Sequence, residues 1–199
     1  MKLLFNKLFK NKKDYPEFWQ NYSAKFKNDD SARVVVLDCE TTGLKPTEDK
    51  ILSIGAVALH NKIIYIEDNF SVFLKQKINK PESIAIHGIV KNKTDHLVPE
   101  SEALEQLLSY LGNSKIIGHH IQFDVHMINM ALKNAGLPKL KNKVQDTSAL
   151  YSQYKGVHQL MRKSLDELCD EFHITKKDRH TSMGDAFLTA QVYQRLILA

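Results

Sequence analysis

Asp38 and Glu40 stand two apart at the end of the run Val34-Val35-Val36-Leu37. On a strand, the side-chain period of two turns both carboxylates to one face. Acids placed this way repel each other and resist burial unless a cation offsets them. Oxygen donors of this kind suit a hard divalent ion such as Mg²⁺ or Mn²⁺. An Asp-x-Glu pair alone is a common accident of sequence. Asp124 and Asp185 each fall in the first turn of an expected helix, where the helix dipole already favours an acid, so singly each reads as a helix-start residue. His180 lies five residues before Asp185. On one continuous helix the two would point roughly 140° apart, so they converge only if His180 lies on a loop ahead of the helix. The polar segment Lys176-Lys177-Asp178-Arg179 suits such a loop. An imidazole there ionises near neutrality and is suited to take a proton from water. The chain has nine histidines, and only the spacing to Asp185 sets this one apart.

These residues need a sheet edge and helix starts to hold them. Val34 to Leu37 is short, β-branched and apolar on both faces, as a central strand is. Ile51–Leu59 and Ile63–Leu74 read as two further strands joined by a hairpin at His60-Asn61-Lys62. Leu104, Leu107, Leu108 and Leu111 recur at helical spacing, with Gly112 placed to end the helix. A strand at Lys115–Gly118, a helix from about Phe123 to Asn134 and a strand near Val144 follow. Ser164 with Glu167 forms a capping box ahead of a helix carrying Leu165, Leu168 and Phe172, and a last helix runs from about Gly184 to Leu198. Hairpin strands followed by alternating helices and strands give a mixed-sheet α/β domain.

The segments that carry the chemistry also carry a likeness. Leu37-Asp38-Cys39-Glu40-Thr41-Thr42-Gly43-Leu44, His119-His120-Ile121-Gln122-Phe123-Asp124 and His180-Thr181-Ser182-Met183-Gly184-Asp185-Ala186 resemble, in order, the motifs of the DnaQ-like (DEDDh) 3′-to-5′ exonucleases. That family includes the proofreading subunit of bacterial replicative DNA polymerase, and Ile86-His87-Gly88-Ile89 resembles a further signature of it. The resemblance spans residues 34 to about 197. It implies an RNase H-like mixed five-stranded sheet flanked by helices, with two divalent ions (Mg²⁺ or Mn²⁺) held by Asp38, Glu40, Asp124 and Asp185. It also implies His180 as general base and nucleoside 5′-monophosphates as products. Thr41, Gly43, Leu44, His87 and Phe123 are the implied contacts of the terminal nucleotide, although Leu44 and Phe123 read equally as core and Gly43 as a plain turn. His120 stands where the family commonly has Asn, and Ser182 where it commonly has Ala. Neither change removes an implied ligand or the base.

The resemblance favours a DNA 3′ end as substrate, with an exoribonuclease of the same family as the alternative. A non-catalytic polymerase accessory module is the alternative of another class, disfavoured because all five chemistry residues are present. Composition fits the enzyme without pointing to it. Hydrophobic residues at 43% and charged residues at 26% disfavour a disordered or membrane chain. Net charge is +5, but residues 1–33 hold eight lysines and arginines against four acids, so the remainder is nearly neutral. Nucleic-acid binding therefore rests on the site and not on the charge.

Residues 1–32 read as a basic and aromatic extension to a nuclease domain at 33–199. Within it Tyr15, Phe18, Trp19, Tyr22 and Phe26 would line one helical face, expected to pack on its own domain. The extension is also the candidate contact for a replication or repair protein, because the 14 residues after Asp185 are used by the last helix and leave no polymerase-binding tail. Cys39 and Cys169 make no CxxC pattern, and Cys39 reads as a buried free thiol. With no signal-peptide core and no membrane-length apolar run, a cytoplasmic protein is expected.

Overall fold

The computed structural model describes residues 15–27, 32–76 and 96–198. In chain order the elements are α1 (Glu17–Ala24), a 3₁₀ turn (Lys25–Lys27), β1 (Arg33–Thr41), β2 (Ile51–His60), β3 (Ile63–Leu74) and β4 (Leu97–Val98). There follow α2 (Glu100–Leu111), β5 (Lys115–Gly118), α3 (Gln122–Asn134), β6 (Val144–Asp146), α4 (Thr147–Tyr154), α5 (Leu165–Glu171) and α6 (Ser182–Leu198). The sheet order is β4-β3-β2-β1-β5-β6. β1–β2 and β2–β3 are antiparallel, whereas β5 joins β1, β6 joins β5 and β4 joins β3 in parallel. The expected mixed α/β sheet is present with six strands among the described residues, not five. The addition is β4, whose two residues are too few to leave an apolar pattern and which pairs with Phe73 and Leu74 at the end of β3.

The hairpin turn is tighter than expected, since β2 runs through His60 and only Asn61 and Lys62 bridge to β3. Both have positive φ (50° and 68°), the backbone of a type I′ turn whose twist matches the strands it joins. α4 is an element the sequence pattern did not show. Its residues Thr147-Ser148-Ala149-Leu150-Tyr151-Ser152-Gln153-Tyr154 have little apolar period, and it starts where the Asp146 side chain accepts from Ser148 N at 2.7 Å.

Two layers of helix bury the sheet. On one face Val35, Leu37, Ile54 and Ile116 pack with Trp19 and Tyr22 of α1, the leucines of α2, and Met127 and Ile128 of α3. On the other Val36, Val57 and Ile117 meet Ala190 and Tyr193 of α6. A smaller cluster joins α4, α5 and α6 through Tyr151, Leu168 and Leu188. The aromatic face of α1 packs on this domain, as its spacing implied. The Tyr22 hydroxyl donates to Asn142 Oδ1 (2.6 Å) and accepts from Lys141 N (2.8 Å), while Asn142 donates to the Gly112 and Ser114 carbonyls. At the start of β1, Arg33 makes paired bonds to Asp68 (2.8 and 2.7 Å) and lies 4.4 Å over the Tyr110 ring, fixing that end of the strand to β3 and α2.

Candidate active site

The acids lie at the opposite end of β1. Asp38 and Glu40 share the parity of Val36, which packs under α6, so both project toward the face that helix covers. Opposite them in register on β2 are Gly55 and Ser53. The start of α6 comes down on this pair. A Cβ at Gly55 would stand 2.3 Å from the Ser182 carbonyl carbon, so only glycine permits the approach. The Ser182 hydroxyl, itself buried, donates to Ser53 Oγ at 3.0 Å. The unusual serine in the third motif is thus a tether between helix and sheet. In consequence the carboxylates of Asp38, Glu40 and Asp185 converge, each offering an oxygen within 4.8 Å of the others.

Asp124 is buried in the first turn of α3 but stands outside that trio. Its Oδ1 accepts the Cys39 amide at 2.9 Å, which fixes it to the backbone between the two β1 acids. Burial, and then the neighbouring charges of Asp124, Asp185 and Glu40, push the Asp38 carboxyl well above the usual carboxylate range. Burial first and Asp185 second raise Glu40 to about 7, and burial raises Asp124 to about 7. The Cys39 thiol between them is pushed up for the same reason, and burial raises Cys169 to about 11. Both cysteines are free and buried. One cation partly answers these charges: the guanidinium of Arg179 is ion-paired with Asp185 and also opposes the rise at Asp38 and Glu40. The sequence pattern showed Arg179 only as a polar loop residue. Its pairing depends on α5 and α6 meeting, which no spacing within the loop reveals.

His180 occupies the turn before α6, not the helix itself, so the condition for it to face the same site as Asp185 is met. It is exposed and has a left-handed backbone, φ 62°. Glu40 and Thr41 flank a register shift in the β1–β2 ladder, and the chain then turns through Gly43 and Leu44. A second residue not foreseen, Asp49, organises this turn. Buried beneath it, Asp49 accepts from Thr42 Oγ1 (3.0 Å) and Lys45 N (2.9 Å) and leaves no room for a Cβ at Gly43. Thr41 Oγ1 closes the turn on the Gly43 carbonyl at 2.8 Å.

Leu44 is 81% exposed, which removes the alternative that it is core. Phe123 is half-buried against the main core, and His87 lies outside the described residues. His119 Nδ1 bonds Thr147 Oγ1 at 2.8 Å, and burial, then His120, lowers its pKa to about 4. The His120 ring lies against it at a tilt, 4.2 Å between centroids, and His120 takes φ 54°, a left-handed conformation that Asn also adopts readily.

Convergent carboxylate oxygens, two of them (Asp38 and Glu40) raised in pKa and one (Asp185) paired with a guanidinium, fit a hard divalent cation. The family model described as exonuclease (RNase T) matches residues 35–193, from β1 into α6. The chain belongs to that exonuclease family. The DnaQ-like, DEDDh resemblance carried by its motifs is borne out, as is the enzyme class it implied, a 3′-5′ exonuclease. The chain is 34% identical over 159 residues to DNA polymerase III PolC-type of Clostridium perfringens (strain 13 / Type A), covering 79% of this chain and 11% of that protein. It is 32% identical over 172 residues to DNA polymerase III subunit epsilon of Buchnera aphidicola subsp. Baizongia pistaciae (strain Bp), covering 81% and 69%. The exonuclease chain thus matches only a small part of the PolC-type relatives and about 70% of the epsilon subunits. Among solved structures, the nuclease domain of 3′hExo bound to rAMP superposes with TM-score 0.72 at 17% identity, covering 84% of this chain and 92% of that one. E. coli exonuclease I in complex with a dT13 oligonucleotide gives TM-score 0.69 at 16% identity, covering 83% and 41%. At such identities the likeness is one of fold, the RNase H-like α/β arrangement. No helix among the described residues is long and apolar enough to cross a membrane.

Proposed function

We propose that this exonuclease hydrolyses DNA from the 3′ end to nucleoside 5′-monophosphates, using two divalent ions, Mg²⁺ or Mn²⁺, and a histidine base. The observation that carries the reading is the convergence of Asp38, Glu40 and Asp185 oxygens within 4.8 Å at the end of a central strand. In this reading Asp38, Glu40, Asp124 and Asp185 hold the metals, Asp124 through whatever capacity its bond to Cys39 N leaves. Divalent ions bound there supply an acidified water and stabilise charge on the departing oxygen. His180, exposed on its turn, takes the proton of the attacking water on an imidazole nitrogen. The turn ordered by Asp49 presents Thr41, Gly43 and Leu44 to the terminal nucleotide, where the exposed Leu44 and the half-buried Phe123 give apolar contact to base or sugar. His87 is assigned to the same pocket on its motif alone.

DNA is preferred because relatives at 32–34% identity are named as DNA polymerase III components. Residues 33–199 form the nuclease unit, and the extension at 1–32, of which α1 is docked on the core, is the candidate contact for a replication or repair protein. The test is digestion of a 3′-recessed, 5′-labelled DNA, a matched single strand and a matched RNA, with Mg²⁺, Mn²⁺ or chelator, beside an Asp38→Ala control. Shortening of DNA from the 3′ end that needs both metal and Asp38 supports the reading. Preferential loss of RNA would replace it with the exoribonuclease alternative, and no shortening of any substrate would leave the binding module.

A further inference from the structure

Arg179 spans two acids of different character. Its Nε and one terminal nitrogen donate to the Asp166 carboxylate of α5 at 2.8 and 3.2 Å, a paired arrangement that a guanidinium favours. Its other terminal nitrogen is ion-paired with Oδ1 of Asp185 on α6. The first contact is well aligned and half-exposed. The second is not, for although Asp185 Oδ1 is buried it accepts no properly directed hydrogen bond among the described residues. Asp185 is also one of the three convergent carboxylates. One side of the guanidinium is therefore firmly held while the other rests on an acid the metal site needs.

We propose that Arg179 is a resident counter-cation that competes with the divalent ion for Asp185, and that it withdraws onto Asp166 when the ion binds. The inference rests on the reading of the acidic cluster as a metal site. A fixed positive charge against one carboxylate keeps the metal-free enzyme from holding its crowded acids bare, and for the same reason it weakens the hold on the first ion. Arg179 is followed directly by His180, and Asp178 and His180 on either side have left-handed backbones, φ 54° and 62°. Withdrawal of the guanidinium from Asp185 therefore acts on the turn that carries the proposed base. Arg179 is in this sense a positioning residue: it sets the metal affinity and links occupancy of the site to the setting of His180.

Calorimetric titration of the full chain with Mn²⁺ tests this, comparing the unaltered protein with Arg179→Met. The variant is expected to bind Mn²⁺ about three- to tenfold more tightly. It should also melt at a lower temperature in chelator while gaining more from saturating Mn²⁺ than the parent does. Equal or weaker binding by the variant would overturn the competition while leaving the metal site itself intact. Absence of Mn²⁺ binding by the parent would instead remove the metal reading, and the inference with it. A second measurement needs no variant. In the unaltered chain the Arg179 side-chain N–H resonances should shift, and exchange faster with water, as Mg²⁺ is added; resonances that stay in place through saturation would equally defeat the proposal.

Discussion

Asp38, Glu40 and Asp124 at the front of β1 are held in settings that favour their neutral forms, and this gives the metal-free enzyme a pH dependence of definite sign. Folded Glu40 and Asp124 titrate near 7, and Asp38 is also raised, against roughly 4 for carboxyls of an unfolded chain. The folded protein thus keeps protons that the unfolded chain gives up. The resulting stabilisation is fully present below about pH 4 and is lost as pH rises through about 7. In chelator, thermal melts are expected to drop between pH 5 and 8, with saturating Mn²⁺ lifting the alkaline end and Asp38→Ala flattening the slope. A flat profile in the unaltered protein would show that the acids are not mutually strained. For His180→Ala we expect turnover to fall by about 10²- to 10⁴-fold with the affinity for a nucleoside 5′-monophosphate preserved. Steady-state rates beside a product-binding titration check this, and unchanged turnover would take the base role from His180. At this scale the three motifs were visible in the sequence because they are local. Arg179 and Asp49 were not, because their partners are set by folding: a guanidinium reaching another helix and an acid buried under a turn leave no periodic trace.

Among the elements, the junction of α6 with β2 decides whether the third acid reaches the first two. A side chain at Gly55 must push the Ser182 backbone away, so Gly55→Ala is expected to lower unfolding stability by about 1–3 kcal/mol. It should also reduce activity beyond what the lost stability explains, as Asp185 is carried off the cluster. Denaturant unfolding together with rates at saturating metal would separate the two effects, and a fully active Gly55→Ala would mean the junction is slack. Strands and helices that bury a regular face were legible in the sequence: β1 to β3, β5 and α2, α3, α5 and α6. What escaped were β4, two residues paired at one end of β3, and α4, a polar helix set by the Asp146 cap and by packing of Tyr151. Neither carries enough apolar pattern to announce itself.

Over the whole molecule, β1 is clamped at one end and charged at the other. Arg33, Asp68 and Tyr110 fix its start, while α1 closes the adjacent core through Trp19, which is 3% exposed. Trp19→Ala is expected to cost about 3–5 kcal/mol of stability, read from the midpoint of denaturant unfolding. A loss below about 1 kcal/mol, the range of surface substitutions, would show that the helix is an accessory to the fold. The buried cysteines bear on how the enzyme can be handled. With Cys39 and Cys169 both enclosed and held as thiols, the native surface is blank to maleimides and iodoacetamides. A single dye attached through Gln159→Cys, on the exposed stretch between α4 and α5, would then be the only label on the protein. Its emission could follow a DNA end arriving and leaving, one molecule at a time, without any native residue having to be removed first.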